Sequence, residues 1–259
     1  GGGTGSGCGP MLIDLLLDDI TSGASSVEAV GAVTIIPAEN ESIKAQINCY
    51  ECFEELTSID NIAGTLVIDN SKGDKLQLNR NMVNAFYNLI EIPSRDNDER
   101  GNIDRAEIKE TLAAKGMLMV TKLSAKESST AAVLETFKNS IFAPIEPDRV
   151  IKYITMTSTG NIDLDAIEKE VGIPLDVFQT YNDNCTICCL SGLNYPKARL
   201  DRVYQLATAH QEQIIKNLQA TSENDMRKDV NFLAAMKKPA TDSPKPKTSR
   251  RDLMKKYMG

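Results

Sequence analysis

The chain has 259 residues, of which 25% are charged, and its 36 acidic and 29 basic side chains give a net charge of −7. This length and composition are enough for one large or two small globular domains and exclude a fibrous protein. No apolar run is long enough to span a membrane and no secretory signal is visible, so we expect no membrane partner and a cytoplasmic location.

The first seven residues form a glycine-rich stretch with two small hydroxyl side chains. Glycine lets a backbone approach a ligand closely. Pro10 is a plausible first residue of the apolar helix that follows, and a glycine loop before a helix N-terminus is a ready anion site. A flexible linker has the same composition and stays open as an alternative. The stretch reads Gly1, Gly2, Gly3, Thr4, Gly5, Ser6 and Gly7.

The next residues alternate between strand and helix patterns, which predicts an α/β fold. Residues 30–37 read as a buried strand, and Ser42 is a candidate cap for a helix over residues 43–56. A second strand over residues 65–68 ends in Asp69 and Asn70. Polar residues at the end of such strands lie where open α/β sheets bind ligands.

A long helix is predicted over residues 76–92, with Asn79 near its start, and a charged loop follows over residues 94–100. Asn102, Asp104 and Glu107 come next. Asp104 and Glu107 are three residues apart, so they project together from a first helical turn. This spacing is typical of a capping box, which is the simpler interpretation.

The second half of the chain continues the alternation. We predict strands over residues 117–120 and 150–157, and helices over residues 128–142, with Ser128 as cap, and 163–171. Strands over residues 177–181 and 186–190 are expected to pair with each other, and a long helix covers residues 199–222.

Six cysteines include two Cys-x-x-Cys pairs, at Cys49 and Cys52 and at Cys185 and Cys188. Such pairs suggest zinc. The second pair lies in a strand pattern, in which residues three apart point to opposite faces. We therefore favour buried reduced thiols and assign no metal ligand.

Two of these motifs carry a family resemblance. The stretch Gly1–Gly7 resembles, residue for residue, the loop GGGTGS/TG of the tubulin/FtsZ superfamily, which wraps the phosphates of GTP. Asn102, Asp104 and Glu107 match the family motif Asn-x-Asp-x-x-Asp/Glu that follows its long central helix. The short link over residues 71–77, the long last helix and the charged tail look most like the TubZ-type homologues of plasmids and phages.

The resemblance implies an α/β, tubulin/FtsZ-like fold with a partial Rossmann-type GTPase domain, a central helix and a smaller mixed α/β domain. The implied parts are the end of the GTP-binding domain (1–75), the central helix and catalytic loop (76–103), the second domain (104–196), a long helix (197–225) and a basic flexible tail (226–259). We expect this chain to be a fragment that lacks the N-terminal part of the GTP-binding domain.

The resemblance also implies a function, a GTPase that assembles into head-to-tail filaments. GTP or GDP with Mg²⁺ would contact Gly1–Gly7, with Glu41 near the ribose and Asn70 and Asn79 on the guanine. Asp104 and Glu107, with Asn102, would position water at the γ-phosphate held by the next subunit. A monomer, and this fragment alone, should then be nearly inactive.

The C-terminal residues differ in charge from the rest of the chain. Residues 226–259 hold ten Lys or Arg and three Asp, a net charge of +7, which leaves −14 on residues 1–225. In TubZ-type systems such a tail contacts a DNA-bound adaptor protein during plasmid or phage DNA segregation, although a merely solvated tail remains open. Other candidate functions are a phage spindle tubulin that centres DNA, an FtsZ-like division protein and a non-catalytic scaffold fragment.

Overall fold

A computed structural model of the chain describes residues 3–95, 101–146, 151–160 and 162–224. The chain divides into a compact unit, residues 1–207, and a second stretch, residues 208–259, of which residues 208–224 are described and are helical. Gly1 and Gly2, most of the charged loop at 94–100 and the whole basic tail therefore lie outside the described residues.

Helices and strands alternate along the described residues, as the sequence predicts for an α/β protein. The strands are β1 (Ala32–Ile36), β2 (Gly64–Asp69), β3 (Gly116–Ser124), β4 (Tyr153–Ser158), β5 (Asp176–Tyr181) and β6 (Cys185–Leu193). The helices are α1 (Gly3–Thr21), α2 (Ile43–Ser58), α3 (Lys75–Ile90), α4 (Ile92–Arg95), α5 (Arg105–Ala113), α6 (Thr130–Asn139), α7 (Leu164–Val171) and α8 (Lys197–Asn224).

The six strands form one sheet in the order β1-β2-β3-β6-β4-β5. β6 runs antiparallel to both of its neighbours, whereas the other pairs are parallel. β2 pairs with β3 over only three residues, from Gly64 to Leu66. Its second half bonds instead to the segment after α6, through Asp69 N to Ile141 O (3.0 Å) and Ala143 N to Val67 O (2.8 Å). The sheet thus forks at β2.

The core lies along the central strands, whose side chains are almost wholly buried because helices pack on them. Apolar burial of this kind is the main favourable term in folding. The fully buried large side chains of the sheet and its helices include Ile36, Ile68, Leu89, Ile103, Met117, Met119, Ile154 and Met156.

Several predicted elements are confirmed. Ser42 caps α2 by accepting a hydrogen bond from Ala45 N, and the central helix is α3, with Asp74 as its cap. β2 ends at Asp69, directly before Asn70. In each of these cases the signal that decides where the element begins or ends is local in the sequence.

The start of the first helix was predicted wrongly. α1 already begins at Gly3, so the described glycines of the stretch are helical and Pro10 lies inside the helix. Ser6 and Pro10 are buried and line a cleft between α1, α2 and β1. These contacts outweigh the low helix propensity of glycine.

The first strand is not buried as predicted. β1 has one strand neighbour, β2, among the described residues, so it forms an edge of the sheet. Val33 remains 52% exposed as a result. An apolar β-branched run is the pattern of a buried strand, but position in the sheet decides the burial.

The predicted cap and end of the helix at 128–142 were also wrong. Ser129 caps α6, and the helix ends at Asn139. The Ser128 hydroxyl instead donates to Ser124 O (3.0 Å) and contacts Thr186 Oγ1 (2.8 Å). Phe142 is not helical, because its segment pairs with β2 at Ile68.

The last two strands do not pair with each other. β4 lies between β5 and β6, so the three-residue connection at 182–184 crosses the end of β4. Asn182 holds this crossover. Its amide donates to Thr157 Oγ1 and Cys185 O (2.7 Å each), and its oxygen accepts from the backbone of Asn184 and Cys185.

No helix among the described residues is both long enough and apolar enough to cross a bilayer. The domain boundary at 103/104 stays a prediction, since the sheet continues through both halves of residues 1–207.

Candidate functional site

The carboxyl ends of β1 and β2 meet at one edge of the sheet, where Ile36 and Asp69 are register partners. α2 and α3 begin just beyond these strands, behind the capping residues Ser42 and Asp74. Helix N-termini carry partial positive charge and unpaired N–H groups, so this edge favours a polar or anionic ligand.

Two predicted nucleotide contacts meet at this edge. Asn70 Nδ2 donates to Glu41 Oε1 (2.9 Å), although the two residues are 29 positions apart. Ala38 N donates to the same oxygen, and Lys75 Nζ lies 2.6 Å from Glu41 Oε2. Burial acts to raise the pKa of Glu41, but these hydrogen bonds outweigh it and the pKa lies below its usual value. Glu41 is therefore a carboxylate.

Asn70 and Lys75, the two side chains that bond to Glu41, line an open groove of about 860 Å³, and Glu41 itself is not part of its lining. Asn70 Oδ1 is buried and has no hydrogen-bond partner among the described residues. Asn79 is not part of the groove lining; it lies exposed on α3, one turn beyond Lys75 and on the same helix face. The groove is lined by Ala38, Glu39, Asn40, Asn70, Ser71, Gly73, Asp74, Lys75 and Leu76.

α1 runs parallel to α2. Gly3 lies beside Asn48, the Ser6 hydroxyl bonds to the Cys52 thiol, and the second half of α1 packs against the second half of α2. The first turn of α1 therefore points toward the same edge as the start of α2. Thr4 is exposed there, whereas the Ser6 hydroxyl is turned toward Cys52.

The predicted acidic pair forms a capping box at the start of α5. Asp104 Oδ1 accepts from Ala106 N (2.7 Å) and Glu107 N (3.0 Å), and Glu107 Oε2 accepts from Asp104 N (2.7 Å). The turn before it is anchored by buried Ile103 and by Thr180, whose hydroxyl donates to Gly101 O (2.7 Å). The simpler of the two interpretations of this spacing is thus confirmed, and a further role stays a prediction.

The structure does not bring the acidic pair to the Glu41–Asn70 pair. Lys109 of α5 forms an ion pair with Glu28, which precedes β1, and Leu112 lies against Gly64 at the start of β2. α5 thus lies toward the amino ends of these strands. Asn102, Asp104 and Glu107 belong to that helix and its entry.

The sequence did not predict three ion pairs near the groove. Arg199 bonds to Asp69, Arg202 to Glu39 and Lys75 to Glu41. Two of these pairs join residues more than 100 positions apart, so no spacing of neighbouring residues could predict them. Asp69 offered a weak signal as a lone charge at the end of an apolar strand.

The cysteines are free thiols, three of them buried, at Cys49, Cys188 and Cys189. Burial raises the pKa of Cys188 to about 12, so its thiol stays protonated. In the described part of the chain no three His, Cys, Asp or Glu side chains form a group that could hold a metal ion.

Comparisons with known proteins point to one group. No family model matches the chain. The chain is 23% identical over 209 residues to the tubulin-like protein TubZ of Clostridium botulinum C phage, an alignment that covers 79% of this chain. The match spans only 56% of that protein's length, a little over half.

Two solved structures share the fold. The crystal structure of Clostridium botulinum phage c-st TubZ superposes with a TM-score of 0.73 at 24% identity, covering 82% of this chain and 69% of that one. GDP-form protofilaments of Bacillus thuringiensis serovar israelensis TubZ give a TM-score of 0.62 at 15% identity, covering 84% and 67%. The chain therefore has the tubulin/FtsZ-like fold of these TubZ structures, and its sequence is similar to that of a phage TubZ.

Proposed function

We propose that this chain carries the base-binding and assembly parts of a GTPase subunit that polymerises head to tail. The observation that carries the proposal is the Glu41–Asn70 contact beside an open groove at the carboxyl edge of β1 and β2. The similar TubZ protein of Bacillus thuringiensis forms protofilaments in a GDP form, which supports a guanine nucleotide as the ligand.

In this proposal, the unpartnered Asn70 Oδ1 accepts a hydrogen bond from the 2-amino group of guanine. Glu41 accepts from the ribose hydroxyls, and Asn79 adds a contact from α3. The phosphates lie at the first turn of α1, where Gly3–Gly7 leave room for their oxygens and the helix N-terminus favours negative charge. Mg²⁺ would neutralise phosphate charge, held by the phosphates and water.

Hydrolysis is proposed to need two subunits. Asp104 and Glu107 lie toward the amino ends of β1 and β2, whereas Glu41 and Asn70 lie at their carboxyl ends. One subunit cannot bring these groups together without refolding, but a head-to-tail neighbour can. The acidic pair of one subunit would then orient the water that attacks the γ-phosphate held by the other.

The wider role is proposed to be plasmid or phage DNA segregation, in which the basic tail binds a DNA-bound adaptor. A net charge of +7 on residues 226–259 favours an acidic or phosphate-rich surface. The similarity to a phage TubZ supports this role over cell division.

The hydrolysis proposal can be tested by mixing subunits of the intact gene product that carries this chain. Asp104→Asn subunits are loaded with γ-labelled GTP and then mixed with unlabelled wild type in excess unlabelled GTP. Labelled phosphate should be released, because wild-type subunits supply the missing carboxylate. Mixing with subunits that carry both Asp104→Asn and Glu107→Gln is the control and should release none. Release that wild-type subunits do not increase would contradict the shared site.

A second candidate is a filament scaffold that does not hydrolyse GTP. The capping box favours it, since both carboxylates already bond to the backbone of α5. Under this candidate Asp104→Asn and wild type would assemble alike and neither would release phosphate.

A further inference from the structure

The first turn of α8 touches both loops that carry the proposed nucleotide contacts. Arg199 forms a two-pronged bond with Asp69, through Nε to Oδ2 (2.8 Å) and Nη2 to Oδ1 (3.1 Å). Its Nη2 also donates to Pro37 O (2.8 Å). One guanidinium therefore joins the carboxyl ends of β1 and β2.

This ion pair is well shielded from water. The Arg199 and Asp69 side chains are only 11% and 2% exposed. Charge-assisted bonds with two prongs fix geometry as well as adding energy, and a buried pair is hardly screened by salt. The pair can thus hold two loops in a defined arrangement.

On the β2 side, Arg199 acts on the turn that presents Asn70. Asp69 Oδ1 also accepts from Ser71 N (2.9 Å), so the residues on both sides of Asn70 are held through one carboxylate. The backbone of Asn70 is thus held on both sides, and its side chain is oriented by the hydrogen bond from Nδ2 to Glu41.

On the β1 side, Arg199 holds the start of the loop that leads to Glu41. Pro37 O accepts from Arg199, the next residue donates from Ala38 N to Glu41 Oε1, and Gln46 Nε2 donates to Ala38 O (2.7 Å). A change in the position of the Arg199 guanidinium would therefore displace both Glu41 and Asn70.

A second arginine on the same helix provides a contrast. Arg202 pairs with Glu39 by two bonds of 3.0 and 3.1 Å, but both side chains are about half exposed. Exposed pairs contribute little even when their geometry is good. Arg202 is thus a matched control, three residues from Arg199, that contacts the same loop without touching Asp69.

We propose that Arg199 is a positioning residue for guanine recognition, which sets the relative placement of Asn70 and Glu41 from the C-terminal helix. The inference rests on the proposed nucleotide site. Lysine cannot replace the guanidinium here, because a single ammonium group does not reproduce the flat fork that spans Asp69 and Pro37.

The test measures GDP and IDP binding by the intact gene product that carries this chain, since IDP lacks the 2-amino group of guanine. The variants are Arg199→Lys, Arg199→Gln and the control Arg202→Gln, with Val133→Ala as a core variant of lowered melting temperature. We expect both Arg199 variants to weaken GDP binding by about tenfold and to reduce the preference for GDP over IDP. Arg202→Gln and Val133→Ala should keep the wild-type preference.

The outcomes separate the two proposals. If wild type binds GDP selectively and the Arg199 variants keep that selectivity, Arg199 is only structural and the inference is overturned. Loss of selectivity in Val133→Ala as well would attribute the effect to stability and also overturn it. If wild type itself does not bind GDP, the proposed nucleotide site fails and the inference fails with it. Should Arg199→Gln not fold, Arg199→Lys decides the matter.

Discussion

Asp69 carries a pH dependence that can be measured on the folded protein. Burial acts to raise its pKa, but the hydrogen bonds from Arg199 and Ser71 outweigh it, so the pKa lies below the usual value of 3.8. A carboxylate with a lowered pKa stabilises the fold at neutral pH, and this stabilisation is lost as the pH falls below about 4 and through the pKa of the folded state.

We therefore predict that Asp69→Asn lowers the free energy of unfolding at neutral pH by about 3–5 kcal/mol, because Arg199 is left buried without its counter-charge. The variant should also lose less stability than wild type when the pH is lowered below 4. Urea unfolding across that range gives both numbers. Parallel pH curves for the two proteins would show that Asp69 contributes nothing to acid unfolding.

Amide substitutions of Asp104 and Glu107 can separate the capping role of the acidic pair from its proposed role in hydrolysis. Asp104→Asn and Glu107→Gln keep oxygen acceptors for the capping box, so stability should change by no more than about 1 kcal/mol. GTP turnover by the intact protein should fall by a factor of at least about 100, since an amide cannot act as a base toward water. Asp104→Ala is the comparison that removes the cap as well. Unchanged turnover in both amide variants would limit the pair to capping.

Some of these residues could be predicted from the sequence and others could not. The capping box could be predicted because Asp104 and Glu107 are only three residues apart, and the Ser42 cap likewise depends on residues within three positions. Arg199 and Asp69 are 130 residues apart, so only the folded chain brings them together. The family resemblance alone placed Glu41 and Asn70 at one nucleotide site, and their direct hydrogen bond was not predicted.

Among the elements, the crossover between β5 and β6 depends on one buried amide. Asn182 satisfies two backbone N–H groups, one carbonyl and the Thr157 hydroxyl. We predict that Asn182→Ala lowers the free energy of unfolding by about 2–4 kcal/mol, because buried polar groups lose their partners. Thermal or urea unfolding measures the change. Asp183→Ala, at the exposed neighbouring position, is the control and should change stability by less than about 0.5 kcal/mol. An equal loss of unfolding free energy at both positions would show that the Asn182 hydrogen bonds do not stabilise the crossover.

Strand patterns predicted that β5 and β6 exist but not which strand each pairs with. A connection of three residues most often joins neighbouring antiparallel strands. Here β4 lies between them, and its pairing with both β5 and β6 was decided by residues more than 20 positions away. The edge position of β1 was likewise set by its neighbours and not by its own apolar residues.

For the molecule as a whole, the separation of charge between the body and the tail predicts salt-dependent binding. Removal of residues 226–259 should abolish binding to an adaptor–DNA complex and leave assembly intact. If all ten basic residues met phosphates, log K against log salt would fall with a slope of about −9. Fluorescence anisotropy with the tail peptide and labelled complex gives this slope. Absence of binding at low salt would assign the tail a purely solubilising role.

The fork in the sheet has a consequence at Gly64. The two halves of the sheet are joined between β2 and β3 by three residue pairs, of which Gly64 and Gly116 form the first. A methyl group at residue 64 would sit 2.4 Å from Leu118 Cδ1 and 3.0 Å from Leu112 O. Even alanine at residue 64 would force the Leu118 side chain or the backbone at Leu112 to move, so the close fit between the half that presents Asn70 and the half that presents Asp104 requires a residue without a side chain at this position.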